Sequence, residues 1–255
     1  MFLILLLCLL VPLSLASGID CSRVPPSLWC LNPELSKECN VEEQCKSYLS
    51  KSKGQKVQLT LLFEALCPDC EEFITGTFYH DIYLKHGDKI DIELVPYGNA
   101  RIDEQGNVVC QHGKDECRGN KYEACVIHYM PEPLPFIRCI ELQLPKVDIE
   151  KAVQKCYNTF KTAAHVVDQV THCFNGKVGD KLIQAHAERT KNIFPEKHTG
   201  VPWVLFNNVS LNSAQKFAYT FDYAIDDWYV GQNAESLWNS DLSQIKMCRN
   251  NNYNL

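Results

Sequence analysis

The segment "FEALCPDCEEF", Phe63 to Phe73, sets two thiols, Cys67 and Cys70, two residues apart. That spacing suits thiol–disulfide exchange, because a thiolate attacks a disulfide sulfur and a second thiol one helical turn away can then break the mixed disulfide. Pro68 follows Cys67 directly, and proline is favoured at the first helical position, where its missing N–H would be unpaired anyway. Cys67 is therefore expected at a helix N-terminus, where free backbone N–H groups and the helix dipole favour the thiolate, with Cys70 inside the helix. Glu64, Asp69, Glu71 and Glu72 oppose this, since nearby carboxylates raise a thiol pKa unless protonated or turned away. An acidic compartment softens that penalty. The alternatives for the pair are a short structural loop or half of a zinc site. Zinc needs partners, and the compact candidate is Cys110 with His112, which lacks the second CxxC of a zinc ribbon.

The flanking sequence supplies the elements that must position these thiols. "VQLTLLFEAL", Val57 to Leu66, is an apolar run of the length and composition of a buried strand. After Pro68, the residues Phe73, Ile74, Thr77, Phe78 and Ile82 recur at helical spacing to about His86, and Gly87-Asp88 supplies a stop. "KIDIELVPYG" alternates at Ile90, Ile92 and Leu94 as a second strand. Strand, CxxC, helix and strand make a βαβ unit whose crossover is expected to be right-handed, with the cysteines at the carboxyl end of the first strand. Such a unit opens a thioredoxin-like α/β fold. Residues from about 99 to 197, with patterns such as "DIEKAVQKCYNTFKTAAHVVDQV" and "VGDKLIQAHAERTKNIF", form a helical insertion. "TGVPWVLFNNVSL" is a hairpin candidate turning at Asn207-Asn208, with an amphipathic helix to follow from Ser213. Pro202 falls just before the third core strand, where a cis-proline loop would face the cysteines. There the backbone beside Val201 and Pro202 could pair with a substrate peptide in β fashion. The alternative is an ordinary trans proline opening a strand.

The first nineteen residues carry no charge, and "FLILLLCLLV" is of signal-peptide length, short of the ~18 apolar residues needed to cross a bilayer. Residues 1–18 read as a cleaved secretory signal, with an uncleaved anchor as the alternative because no basic residue precedes the apolar run. Of fourteen cysteines, Cys8 leaves with the signal, and the odd number that remains leaves one thiol free or paired with another chain in a disulfide-linked dimer. This density fits an oxidising compartment, which also disfavours stable zinc thiolates. Asn208-Val209-Ser210 is a glycosylation sequon consistent with the same route.

Residues 19–50 hold Cys21, Cys30, Cys39 and Cys45 in a stretch too short for a hydrophobic core, so disulfides must hold it. "SKSKGQK" then reads as a linker to a main domain at 57–230, followed by a tail at 231–255 that contains Cys248. The net charge of −6 and the absence of a Lys/Arg cluster argue against nucleic acid as a partner. Eight histidines, titrating near their reference pKa, would bring the charge close to zero in an acidic organelle.

"CQHGKDECRGNKYEAC", Cys110 to Cys125, matches without gaps the pattern CQHGxxECxxNxxxxC. The chain thereby resembles the gamma-interferon-inducible lysosomal thiol reductase (GILT) family over roughly Val57 to Ser210. The resemblance implies a thioredoxin-like fold with a helical insertion, residence in endosomes and lysosomes, and reduction of disulfides in endocytosed proteins at acidic pH. Carried onto this chain, Cys67 is the nucleophile, Cys70 the resolving thiol and Pro202 the loop proline. Cys110, Cys117 and Cys125 are disulfide partners, as are Cys139, Cys156 and Cys173 among the remaining structural candidates. Gln111 and Asn120 are expected to satisfy buried backbone, Gly113 to serve a tight turn, and His112 to be either structural or an acid/base group. Residues 19–50 resemble a saposin A-type segment, with Trp29-Cys30 and the spaced Cys39 and Cys45; such segments are commonly processed away, which implies a prosegment or a trafficking element, with a passive disulfide knot as the alternative.

The expected protein is thus a lumenal thiol:disulfide oxidoreductase, lysosomal, endosomal or secreted, that reduces protein disulfides. Catalysis requires no metal or flavin, and without a dinucleotide fingerprint its electrons must come from a small thiol or another protein. Two rivals use the same residues: a disulfide oxidase or isomerase, because spacing does not fix the direction of exchange, and a non-enzymatic secreted disulfide-rich glycoprotein with an inert CPDC disulfide.

Overall fold

A computed structural model of the chain describes residues 33–52, 55–144 and 146–222, together with Ile19, Cys30, Ile225 and Tyr229. Cys8, Cys21 and Cys248 lie outside these residues, as do the signal segment at 1–18 and the tail at 231–255. Contacts divide the chain into two units, the larger spanning Gly54–Gly231. In the smaller unit, helices α1 (Pro33–Glu38) and α2 (Glu42–Ser52) are short, and Cys30 is bonded to Cys45. Cys39 is disulfide-bonded as well.

The larger unit is built on β1 (Val57–Phe63), which is buried at every position but Gln58. A strand covered on both faces reads as a continuous apolar run, and that is its sequence. Leu59, Leu61 and Phe63 face one layer with Phe73, Phe78, Ile137 and Val153, whereas Leu62 faces the other with Val95, Trp203 and Leu205. The two-residue period of a strand makes this division. β1 pairs in parallel with β2 (Ile90–Pro96), from Val57 opposite Ile90 to Phe63 opposite Pro96. On its other side it pairs antiparallel with β5 (Trp203–Phe206), Leu62 opposite Trp203. The sheet order β2-β1-β5, with a helix crossing from β1 to β2 and a third strand returning antiparallel, is a thioredoxin-like core. Its register brings the residues just before Trp203 to the carboxyl end of β1, where the cysteines follow.

The strand ends at Phe63, three residues earlier than its apolar run, because Glu64 turns into the interior and Leu66 takes a left-handed conformation, φ 65°. The helix expected from Pro68 to His86 is interrupted. α3 (Pro68–Phe73) passes into a π-helical stretch (Ile74–Tyr83), with non-helical angles at Gly76, before α4 (Leu84–His86). Glycine lacks the side chain that would hold this position to helical angles. A two-stranded hairpin not anticipated from the sequence, β3 (Arg101–Ile102) with β4 (Val108–Val109), occupies the start of the region expected to be a helical insertion.

The insertion comprises α5 (Lys114–Tyr129), α6 (Pro133–Glu141), α7 (Ile149–Phe160), α8 (Ala164–Asn175) and α9 (Lys177–Lys191). The pattern from Asp148 onward splits into two helices, because Lys161 closes α7 in the left-handed conformation, φ 49°, its N–H donating back to the last turn. Disulfides staple these helices: Cys125–Cys173 joins α5 to α8, and Cys139–Cys156 joins α6 to α7. Each such bond typically contributes ~2–4 kcal/mol by restricting the unfolded chain.

The expected second arm of the Asn207-Asn208 hairpin does not form as a strand. Asn207 and Asn208 do make the turn, with φ of 49° and 63°, and Phe206 pairs with Val209. Ser210 then bonds to the 194–196 segment instead, its N–H donating to Phe194 and its carbonyl accepting from Glu196. Beyond it, Ser213–Phe217 is a single 3-10 stretch rather than an amphipathic α-helix.

Candidate active site

Cys67 is the N-cap of α3, in extended conformation, and its sulfur accepts the amide N–H of Cys70 at 3.4 Å. Both cysteines carry free thiols. Cys67 is 7% exposed and Cys70 fully buried, so an incoming disulfide meets Cys67 first. The Val201–Pro202 bond is cis, and the Cys67 sulfur lies 3.9 Å from the Val201 carbonyl oxygen. Cys67, Cys70, Val201 and Pro202, distant in sequence, are therefore one site.

The electrostatics separate the two thiols. A hydrogen bond from the Cys70 thiol, followed by the amide N–H groups of Cys70 and Asp69, lowers the Cys67 pKa to about 7 against the opposing effects of burial and the Glu64 charge. The Cys70 thiol is pushed far up, first by that same hydrogen bond to Cys67, then by burial and the charge on Cys67. One sulfur is thus prepared to attack while its neighbour keeps its proton.

The turn that presents Cys67 is clamped from behind by α5. The Asn120 side-chain oxygen accepts the Ala65 N–H at 2.8 Å, the backbone service expected of that residue. A methyl group on Gly119 would strike the Ala65 side chain, so glycine permits this approach. Gln111 does otherwise than expected: its side-chain oxygen accepts from the Asn99 side chain at 2.6 Å, near the surface. Gly113, at φ 91°, occupies the position just before α5. Cys110 is bonded to Cys117, which removes it as a zinc thiolate.

Three groups were not anticipated from the sequence in the roles they take. Glu64 is fully buried, and one oxygen accepts the Asn99 N–H at 2.7 Å; burial holds its carboxyl above the usual range. Glu123 and Glu141 form a buried carboxyl pair, both raised chiefly by desolvation, Glu123 to about 8. An acid between Ile140 and Leu142 in an amphipathic helix was the signal for that pair. Tyr219, 57% exposed, sets its ring edge-on to Phe73 at 5.1 Å, beside the carboxylates of Asp69 and Glu72. The histidines do not all titrate as supposed from composition: burial lowers His186 to about 4 and also lowers His198.

The family model described as gamma interferon inducible lysosomal thiol reductase (GILT) matches residues 58–160. A gamma-interferon-inducible lysosomal thiol reductase of Carassius auratus is 35% identical over 77% of this chain and 76% of its own length. The chain belongs to the GILT family. A gamma-interferon-responsive lysosomal thiol protein of Arabidopsis thaliana is likewise 35% identical, over 78% of this chain and 82% of its own. The crystal structure of the oxidoreductase DsbA from Xylella fastidiosa covers 68% of this chain and 86% of that one, at 16% identity and a TM-score of 0.43. As a GILT-family protein the chain is a thiol–disulfide oxidoreductase. No helix among the described residues is long and apolar enough to cross a membrane.

Proposed function

We propose that this protein reduces disulfide bonds of protein substrates in the acidic lumen of endosomes or lysosomes, with Cys67 as nucleophile and Cys70 as resolving thiol. The observation that carries the reading is the asymmetry of the pair: the helix-capping sulfur has its pKa lowered to about 7 beside the Val201 carbonyl, and the buried one is kept protonated. At pH 5 a thiol of pKa about 7 is roughly 1% thiolate, some thirty-fold more than a free cysteine of pKa ~8.5, which outweighs its lower intrinsic nucleophilicity.

In the first step the Cys67 thiolate attacks one sulfur of the substrate disulfide, and the other leaves as a thiolate that takes a proton. Cys70 then gives up its proton and attacks Cys67, forming the Cys67–Cys70 disulfide and releasing the second substrate thiol. The two electrons come from the dithiol. Two equivalents of a small thiol restore it and leave as their own disulfide; no metal enters the cycle. Val201 and Pro202 would hold the substrate backbone beside Cys67. We place the Cys-rich segment at 19–50 as a propiece and Asn208 as a glycan acceptor; its side chain is exposed at the turn. The names of the relatives support the compartment, as does the secretory character of residues 1–18.

The test is reduction of a disulfide-bonded protein by the purified chain with a small thiol donor at pH 5 and pH 7. Cys67→Ser should abolish turnover, and Cys70→Ser should accumulate a mixed disulfide with substrate. Full activity in both variants would refute the assignment.

A further inference from the structure

Glu64, three residues before Cys67 in the chain, converges with His112 and Glu116, and a ligand atom from each lies within 4.8 Å of the others. We propose that these three side chains form a binding site for a divalent metal ion of the zinc class, outside the redox cycle.

Charge balance is the first reason. Glu64 and Glu116 are both fully buried, and two carboxylates are not removed from water without something to neutralise them. Among the described residues neither pairs with Lys or Arg, and the group between them is the single imidazole of His112, with Nδ1 2.7 Å from Glu116 Oε2 and 3.6 Å from Glu64 Oε1.

The oxygens left over are the second reason. Glu116 Oε1 is buried with no hydrogen-bond partner, although its twin takes both the ring nitrogen and the backbone N–H of His112. Glu64 Oε2 is satisfied by the Asn99 N–H at 2.7 Å, but Glu64 Oε1 has only the Asn99 side-chain nitrogen at 3.4 Å and His112 beyond it. Two buried carboxylates that both approach His112 thus each keep an oxygen without a close partner. Buried oxygens of this kind call for an occupant.

The third reason is construction. Glu64 is fixed by the end of β1 and the turn at Gly98, where a side chain on the glycine would strike the carboxyl. Glu116 is fixed in the first turn of α5, and Cys110–Cys117 locks the loop that carries His112. One nitrogen and two oxygen donors, with a fourth position left to water, is a ligand number zinc accepts at ~2.0–2.2 Å. Tetrahedral ligand atoms at those distances stand ~3.4 Å apart, so small side-chain rotations close the site. The His112 side chain, 36% exposed, leaves solvent access for the ion.

The test uses the full chain with Cys67 and Cys70 both changed to serine, so that the redox thiols contribute no zinc binding. Zinc is titrated at pH 7 against a chromophoric chelator. The expected result is one equivalent held with a dissociation constant below ~10 μM, weakened at least ten-fold by His112→Ala and by Glu116→Gln, and unchanged by His172→Ala on the exposed face of α8. Because Glu116→Gln also alters a bond to the His112 backbone, near-ultraviolet circular dichroism must match the parent, and His112→Ala, at a half-exposed position, decides the result where it does not. Absence of a stoichiometric site, or binding that survives His112→Ala, would overturn the proposal.

Discussion

The Cys67 sulfur stands 3.9 Å from the carbonyl oxygen of Val201, and that oxygen can accept from the thiol but only repels the thiolate. On the other side the Cys70 N–H, at 3.4 Å, favours the thiolate. The sulfur is held between a group that suits its protonated form and one that suits its reactive form, and its titration reports the balance.

With the Cys67 pKa lowered to about 7, the rate of alkylation of the reduced protein should rise with pH through a midpoint near 7, well below a free cysteine. Mass spectrometry of the modified peptide assigns the rate to Cys67. A midpoint at 8.5 or above would mean that the helix end and Cys70 do not stabilise this thiolate.

Two substitutions should move that midpoint in opposite directions. The hydrogen bond from the Cys70 thiol is the largest stabilising influence on the Cys67 thiolate, so Cys70→Ala should shift the alkylation midpoint upward. The Glu64 charge acts against the thiolate, so Glu64→Gln, measured with chelator present, should shift it downward. Because burial raises the Glu64 pKa, the wild-type protein gains part of the second effect simply by acidification. Equal shifts of one sign in both variants would show that a general change of structure, rather than these two contacts, is being read.

Asn120, itself a residue of the signature from Cys110 to Cys125, is bonded to the turn before Cys67. Asn120→Ala leaves the Ala65 N–H buried and unpaired, which should cost about 1–3 kcal/mol in urea unfolding and slow reduction of substrate at unchanged Cys67 pKa. Wild-type stability in the variant would imply that water replaces the asparagine without loss.

Local chemistry was legible in the sequence and longer-range chemistry was not. Pro68 after Cys67 announced the helix start, and the apolar run at Val57 announced β1, because each depends on adjacent residues. The signature carries the expectation that Gln111 and Asn120 serve buried backbone, and it holds for Asn120 at the Ala65 N–H but not for Gln111, which meets the Asn99 side chain. The failed hairpin arm shows the limit: the Asn207-Asn208 turn is as written, but Ser210 leaves the sheet for the 194–196 segment, a partner that no local pattern names. The sequence shows Glu64 only as a charge near Cys67, since its burial depends on Gly98, Asn99 and His112 arriving from other elements.

Glu123 and Glu141 allow a prediction whose sign is fixed by their burial. Desolvation raises both carboxyls, Glu123 to about 8, above the ~4.3 expected in the unfolded chain. The folded state therefore holds protons more tightly than the unfolded state, and this contribution to stability, full below pH ~4.3, is lost as pH rises toward 8. Glutamine at position 141 mimics the protonated acid. Glu141→Gln should accordingly resemble the parent in urea unfolding at pH 5 and be the more stable of the two at pH 8, by an amount on the order of a few kcal/mol. Comparing variant with parent cancels the other titrating groups, including His186, whose lowered pKa acts in the opposite direction. A stability difference that is the same at both pH values would mean that burial does not hold these carboxyls protonated in the folded protein.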